Sequence, residues 1–302
     1  MRESPSPSEP EAILRRLEWT AVRRLDGLLR GDYRTLFRGH GLDLAEVREY
    51  QEGDDVRHMD WNVTARLQTP HVREYHQDRD LAAWFLLDLS ASIDFGARLK
   101  KHAVSTGFVT VLARLLTRHG NRVGALLYGD GVETLVPARS GRRHVLHLLH
   151  RMMQRPERPP QATKLDELLA AAFQVLKRRS AVFVVSDFIS EPGWERPLTE
   201  LARRHDVVAV RVHDPLEREL PDLGMITVQD PETGEQLFVD THDRGFRRRF
   251  AEEAAKREAG LRKSFAIAGV DLLELSTEEA LLDAVVRFAG LRKRRSRVRC
   301  KP

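Results

Sequence analysis

The sequence predicts an α/β protein built on a doubly wound, mostly parallel sheet of the Rossmann type, with an N-terminal helical extension. Three observations point there. Short apolar runs at 81–87 (LAAWFLL), 123–128 (VGALLY), 181–185 (AVFVV) and 207–212 (VVAVRV) lack the alternation of a half-wet strand. They suit strands buried on both faces, as in a parallel sheet. Segments with helical apolar spacing separate most of these runs, which is the βαβ pattern. Finally, two of the runs lead directly into an aspartate-bearing loop, at Asp88 and Asp187, and open α/β sheets bind ligands at the carboxyl ends of their strands.

The 302 residues suffice for one large α/β domain or two modest ones. A hydrophobic content of 41% supports a core, and 31% charged residues give a soluble surface. No stretch approaches the roughly 20 apolar residues of a membrane span. The opening, MRESPSPSEPEAIL, has no apolar centre like that of a secretion signal. The one cysteine, Cys300, allows neither an internal disulfide nor a thiolate zinc site, and fits a reducing cytoplasm. Net charge is +5, but residues 291–302 (LRKRRSRVRCKP) carry seven Lys or Arg and no acid, so the rest of the chain stands at −2. The basicity reads as a tail, either a solvated end or a contact for RNA, DNA or an acidic partner.

Taken in order, residues 1–10 are Ser/Pro/Glu-rich and read as disordered. Residues 11–79 hold a helix from Glu11 to about Arg30, with Ile13, Leu14, Leu17, Val22, Leu25, Leu28 and Leu29 on one face, and then a polar segment. In that segment Gly53-Asp54-Asp55 reads as a turn capping a short helix, and His71 to Tyr75 as a strand. Asp54, Asp55, Asp60 and Arg66 read first as caps and ion pairs. The main domain spans 80–290. After the 81–87 strand come a helix at 97–119, strands at 123–128 and 132–136, a helix at 141–153 and a proline-rich loop ending at Thr163. A helix from Leu165 to about Lys177, strands at 181–186 and 207–212, a hairpin at 224–240 and a basic helix from about Asp243 to Ala266 follow. The strand Val270–Leu275 and a helix from Glu278 to about Leu291 precede the basic tail, 291–302.

The chemistry concentrates in Asp88-Leu-Ser90-Ala-Ser92, a D-x-S-x-S loop leaving a central strand. Carboxylate and hydroxyl oxygens are hard ligands of the kind that hold Mg²⁺ or Mn²⁺. Thr163 lies in a loop just before a helix, and Asp187 ends another buried strand. If those strands are neighbours, Asp88, Ser90, Ser92, Thr163 and Asp187 can converge on one cation. The competing reading makes Ser90 and Ser92 caps of the following helix. His144, His147 and His150 recur at a spacing of three, but three such residues drift around a straight helix, and Val145, Leu146, Leu148 and Leu149 make it an ordinary buried one.

D-x-S-x-S, the threonine of Thr163-Lys-Leu165 and the strand-ending Ser186-Asp187 together resemble the metal-ion-dependent adhesion site of von Willebrand factor type A domains. The resemblance covers roughly 80–290. It implies that those five residues hold Mg²⁺, directly or through water, with a partner protein's carboxylate in the open position. Arg48-Glu-Tyr50, Gly53-Asp-Asp55, Arg57, Met59-Asp-Trp61 and Thr64-Ala-Arg66 ahead of that strand are similar to the bacterial family filed as domain of unknown function fifty-eight. Many members carry membrane helices ahead of this segment, and none is seen in this sequence. The resemblance further implies work beside a MoxR-type AAA+ ATPase in protein maturation or remodelling.

The sequence thus predicts a cytoplasmic, metal-dependent protein-interaction module rather than an enzyme. One alternative is a metal-dependent phosphohydrolase or nuclease. Phosphotransferases of the haloacid dehalogenase type, however, carry a second Asp as acid/base where this chain has Ser90. Neither a P-loop, a G-x-S-x-G elbow nor H-E-x-x-H occurs, and Asp94 reads as a loop or helix-start residue. The other alternative is nucleic-acid contact through the basic tail, expected to be steeply salt-dependent and lost on deleting 292–302.

Overall fold

The computed structural model describes residues 9–29, 43–51, 54–56, 59–76, 82–96, 99–154, 161–229 and 235–299. The expectations for the first eight residues, Gly53, Arg57, the proline-rich 155–160, the hairpin turn at 230–234 and residues 300–302 fall outside them.

The apolar runs form one six-stranded sheet. Its strands are β3 (Ala82–Asp88), β4 (Arg122–Tyr128), β5 (Val132–Arg139), β6 (Ala181–Ser186), β7 (Asp206–His213) and β10 (Asp271–Ser276). The order is β10-β7-β6-β3-β4-β5, parallel except for the edge strand β5. The chain leaves β3 to build β4 and β5 on one side, then crosses back to build β6, β7 and β10 on the other. The boundary between β3 and β6 is therefore the topological switch point, and the crevice outside its carboxyl ends is the natural site of such a sheet.

Successive side chains of a strand point to opposite faces, so the continuous apolar runs fill two cores. Phe85 and Leu87 of β3, with Phe183 and Val185 of β6, face one layer, formed with α4 (Lys101–Arg118), α5 (Arg142–Met153) and α9 (Leu281–Arg299). Leu86, Val182 and Val184 face the other, formed with α6 (Leu165–Val175), α7 (Glu195–Arg204) and α8 (Arg244–Ala268). At the switch point Phe85 stacks on its register partner Phe183, ring centres 5.4 Å apart, and Phe108 of α4 meets Phe183 edge-on at 6.2 Å. Together these rings bind β3, β6 and α4 below the crevice.

Gly124 of β4 is the register partner of Trp84, and a Cβ there would lie 2.7 Å from the indole. Gly124→Ala must therefore move a packed ring. The expected loss is about 1–3 kcal/mol by urea unfolding, the usual cost of overpacking; an unchanged stability would show that Trp84 swings away freely.

The N-terminal extension packs on the domain. It consists of α1 (Glu9–Leu17), a π-helical turn (Glu18–Val22) and α2 (Arg23–Leu29). Leu14, Ala21, Val22 and Leu25 are buried in the α4/α5 core. Glu18 pairs with Arg114, and Asp26 with His119 at 2.9 Å, across that seam. The helix already includes Glu9, inside the stretch read as disordered.

The signature segment is a separate antiparallel ribbon, β1 (Asp43–Glu49) with β2 (His71–His76), around the short helix α3 (Trp61–Leu67). The expected cap at Gly53-Asp54-Asp55 lies partly outside the described residues, which omit 52–53 and 57–58. The Asp54 carboxylate is taken by a two-pronged Arg48 contact, 2.8 Å on each side, and the helix cap is Asp60, whose Oδ1 accepts from the Asn62 and Val63 N–H groups. The Arg48 hydrogen bonds hold the Asp54 carboxyl below its ordinary pKa.

The expected end of the last helix near Leu291 is corrected: α9 continues to Arg299. Its register turns Arg292 inward, onto Asp206 at 2.6 Å and Asp271 at 2.9 Å. The predicted hairpin is β8 (Met225–Gln229) with β9 (Gln236–Asp240), pairing apart from the main sheet.

Candidate functional site

Asp88 is the last residue of β3. Its Oδ1 accepts from the Ser90 N–H at 2.9 Å and its Oδ2 from the Ser186 hydroxyl at 2.7 Å. β3 and β6 are neighbours, so the condition for convergence holds for Asp88 and for Asp187, the residue after Ser186. The loop after β3 tightens into a 3₁₀ turn, Ala91–Asp94, which contains Asp94. Ser90 sits at the cap position of that turn but makes no side-chain cap hydrogen bond, and α4 begins only at Lys101. Instead the Ser90 and Ser92 hydroxyls lie 3.1 Å apart. Gly96 then turns the chain with φ of 149°, where a Cβ would meet the Leu99 carbonyl oxygen at 2.2 Å.

Asp187 is fixed by its own loop: Oδ1 accepts from the Ile189 N–H at 3.0 Å. The intervening Phe188 adopts φ of 58°, a costly backbone for a bulky residue. It is held there by packing on Phe265 and Trp194, ring centres 4.8 and 5.4 Å away. Thr163 is locked to the same loop, its carbonyl accepting from the Ser190 hydroxyl at 2.8 Å and the Glu191 N–H at 2.9 Å. The Tyr128 hydroxyl, at the end of β4, accepts from the next N–H, that of Lys164, at 3.1 Å. Loops after β3 and β6 and the loop before α6 are thereby tied at the carboxyl edge of the sheet. All five residues are buried: Asp88 and Asp187 at 0%, Ser92 and Thr163 at 1% and Ser90 at 4% exposure.

The electrostatics fit a divalent cation. Burial, and then the charge of Asp187, raise the Asp88 pKa from 3.8 to about 6, against the pull of the Ser186 and Ser90 hydrogen bonds. A buried carboxylate pair of this kind is relieved by a hard dication, and the remaining donors are hydroxyls suited to Mg²⁺ or Mn²⁺.

Sequence reasoning missed Lys101. This first residue of α4 is 1% exposed, and its ammonium donates to Asp187 Oδ2 at 2.5 Å and Glu217 Oε1 at 2.7 Å. Burial disfavours its charge, but Asp187 and Glu217 outweigh that and hold its pKa above the ordinary value. Glu217 belongs to a 3₁₀ turn after β7, Pro215–Glu217, and burial raises its own pKa despite Lys101. Nothing in Lys100-Lys101 distinguishes the inward lysine; an apolar neighbour such as Leu99 is itself 51% exposed.

The histidines of α5 do not meet around an ion. His144 is buried and its Nε2 lies 2.7 Å from the Val123 carbonyl oxygen, while His150 is exposed. Among the described residues no cluster of three or more His, Cys, Asp or Glu is placed to hold a metal. No helix among them is long and apolar enough to cross a membrane.

Strand order and loop geometry define a doubly wound α/β protein with buried oxygen-bearing side chains at its switch point. Residues 46–260 match the family described as Protein of unknown function DUF58, and the chain belongs to that family. Uncharacterised proteins of Mycobacterium tuberculosis and Mycobacterium bovis are each 40% identical over 290 residues, spanning 94% of this chain and 90% of the relative. Among solved structures, the conserved hypothetical protein BatB from Bacteroides thetaiotaomicron is 14% identical with a TM-score of 0.45, covering 71% of this chain and 99% of that one. The VWA domain of SpRpn10 is 14% identical with a TM-score of 0.40, covering 68% and 93%. The fold class rests on the strand order and registers themselves.

Proposed function

We propose that this chain is a cytoplasmic, metal-dependent protein-interaction module, in which Asp88, Ser90, Ser92, Thr163 and Asp187 hold Mg²⁺, or Mn²⁺, for the carboxylate of a protein partner. The observation that supports it most is the convergence of two buried carboxylates on loops carrying hydroxyl donors at the β3/β6 switch point. Mg²⁺ bound there would supply a positive centre that keeps part of its coordination for an incoming Asp or Glu. The protein's own part is to orient those oxygens through Ser186, the Ser90 N–H and the Ile189 N–H. The donor set favours docking over hydrolysis, since Ser90 replaces the carboxylate that would act as acid or base. The partner we propose, by resemblance to the family, is a MoxR-type AAA+ ATPase acting in protein maturation or remodelling.

Affinity capture from the source organism's lysate tests this in three lanes: Mg²⁺, chelator, and Asp88→Ala with Mg²⁺, with circular dichroism confirming the variant's fold. The expected result is an AAA+ ATPase retained only in the first lane. The same proteins in all three would overturn the metal as docking point.

A further inference from the structure

We propose that Lys101 is an internal cation that holds the crevice in a closed, metal-free form, and that Mg²⁺ binds in competition with its ammonium for Asp187. This rests on the metal-site reading above and adds to it a means of setting metal affinity.

The placement of Lys101 is the first argument. It opens α4, and a cation at the start of a helix is opposed by the helix dipole. It is nonetheless 1% exposed, and both of its anionic partners lie far away in sequence, on the loops after β6 and β7. An isolated buried ammonium is expensive, so its position is dictated by those carboxylates. The Phe95 ring, 5.8 Å from the ammonium, and the Lys101 N–H bond to the Phe95 carbonyl at 2.9 Å tie it to the D-x-S-x-S loop as well.

The second argument is what the ammonium occupies. It takes Oδ2 of Asp187, while Oδ1 is held by the Ile189 N–H. Both oxygens of that carboxylate are thus engaged with donors of this chain. A dication on or beside Asp187 would share one carboxylate with the ammonium, and two cations that close in a buried setting repel strongly. Glu217 offers the ammonium a berth outside the crevice. Its Oε1 is already bonded to Lys101, and its buried Oε2 has no hydrogen-bond partner among the described residues. Moving the ammonium fully onto Glu217 frees Asp187 without stranding a buried positive charge. The near-total burial of all five predicted ligands is what a crevice closed around its own cation should show.

A lysine that only staples the fold predicts the opposite sign. Removing a staple disorders Asp187 and weakens the metal; removing a competitor strengthens it. Titration calorimetry of Mg²⁺ into the full-length chain separates them, using wild type, Lys101→Met, which keeps the length of the side chain, and Lys101→Gln, which keeps a donor should the methionine variant fail to fold. Asp88→Ala serves as the control without the metal ligand. Mg²⁺-dependent rise of the melting temperature gives a second readout. We expect the neutral variants to bind Mg²⁺ at least tenfold more tightly than wild type, including the case where only they bind measurably. Equal or weaker binding, with wild-type binding abolished by Asp88→Ala, would overturn the role of Lys101 and leave the docking module intact. No binding by any protein would overturn both readings.

Discussion

Arg292→Ala is expected to cost about 3–5 kcal/mol of stability, the range for removing one partner of a buried ion pair. The guanidinium donates through Nε to Asp271 at 2.9 Å and through Nη2 to Asp206 at 2.6 Å, with all three side chains 7% exposed or less. Asp206 opens β7 and Asp271 opens β10, and these strands are neighbours. One residue of α9 therefore clamps the amino ends of two strands, at the end of the sheet opposite the crevice. Alanine leaves two carboxylates buried without that counter-charge. Arg292→Lys should recover only part of the loss, because a point charge cannot serve both acids as a planar fork does. Urea unfolding with circular dichroism measures all three proteins; a loss below about 1 kcal/mol would mean that water reaches the acids as readily as the arginine does. The same contact changes how a nucleic-acid role of the tail has to be tested. Deleting 292–302 removes the clamp along with the charge, whereas deleting 293–302 removes charge and leaves Arg292 in place. Only the second truncation reads the tail.

The parts of the fold that were legible in the sequence are those whose signal is local. β3 and β6 announce themselves as unbroken apolar runs because both of their faces are covered, and an aspartate at the end of each marks the crevice. Thr163 was placed correctly before a helix, and the structure adds the Ser190 and Tyr128 hydrogen bonds that lock its loop. Illegible were the pairings made across long sequence distances. Lys101 and Lys100 are equivalent in the sequence, and only the packing of α4 turns the former toward Asp187 and Glu217. A run of basic residues reads as solvated, and Arg292 escapes that reading only because Asp206 and Asp271 lie beneath it. β1, with the charged sequence DLAEVRE, offers no strand pattern of its own; its pairing with β2 decides.

Asp88→Asn is expected to stabilise the metal-free protein at pH 7.5 by about 3 kcal/mol, or about 5 °C in melting temperature, and to abolish Mg²⁺ binding. Burial and Asp187 hold the native Asp88 pKa at about 6, against 3.8 when unperturbed. Between those values the native state binds more protons than the unfolded chain, so this group's contribution falls as pH rises and is fully lost above the native value. Asparagine imitates the protonated acid. Its carbonyl can accept from the Ser90 N–H, and its amide can donate to the Ser186 hydroxyl, which also accepts from the Phe188 N–H at 2.9 Å. The advantage of the variant should therefore shrink as the pH is lowered from 7.5 towards 4. Mg²⁺ should invert the order once its concentration reaches about 1,000 times its Kd, where wild type gains about 4.1 kcal/mol and the variant gains nothing. Melting curves across pH, with and without Mg²⁺, check both signs. A variant less stable than wild type in metal-free buffer at pH 7.5 would mean that Ser186, the Ser90 N–H and Lys101 already compensate the ionised pair. The expected order has a physical cause: the burial of the Asp88 charge, and then its repulsion from Asp187, weaken the empty fold, and a dication offsets both, so the cost to the metal-free protein is a source of its affinity for the metal.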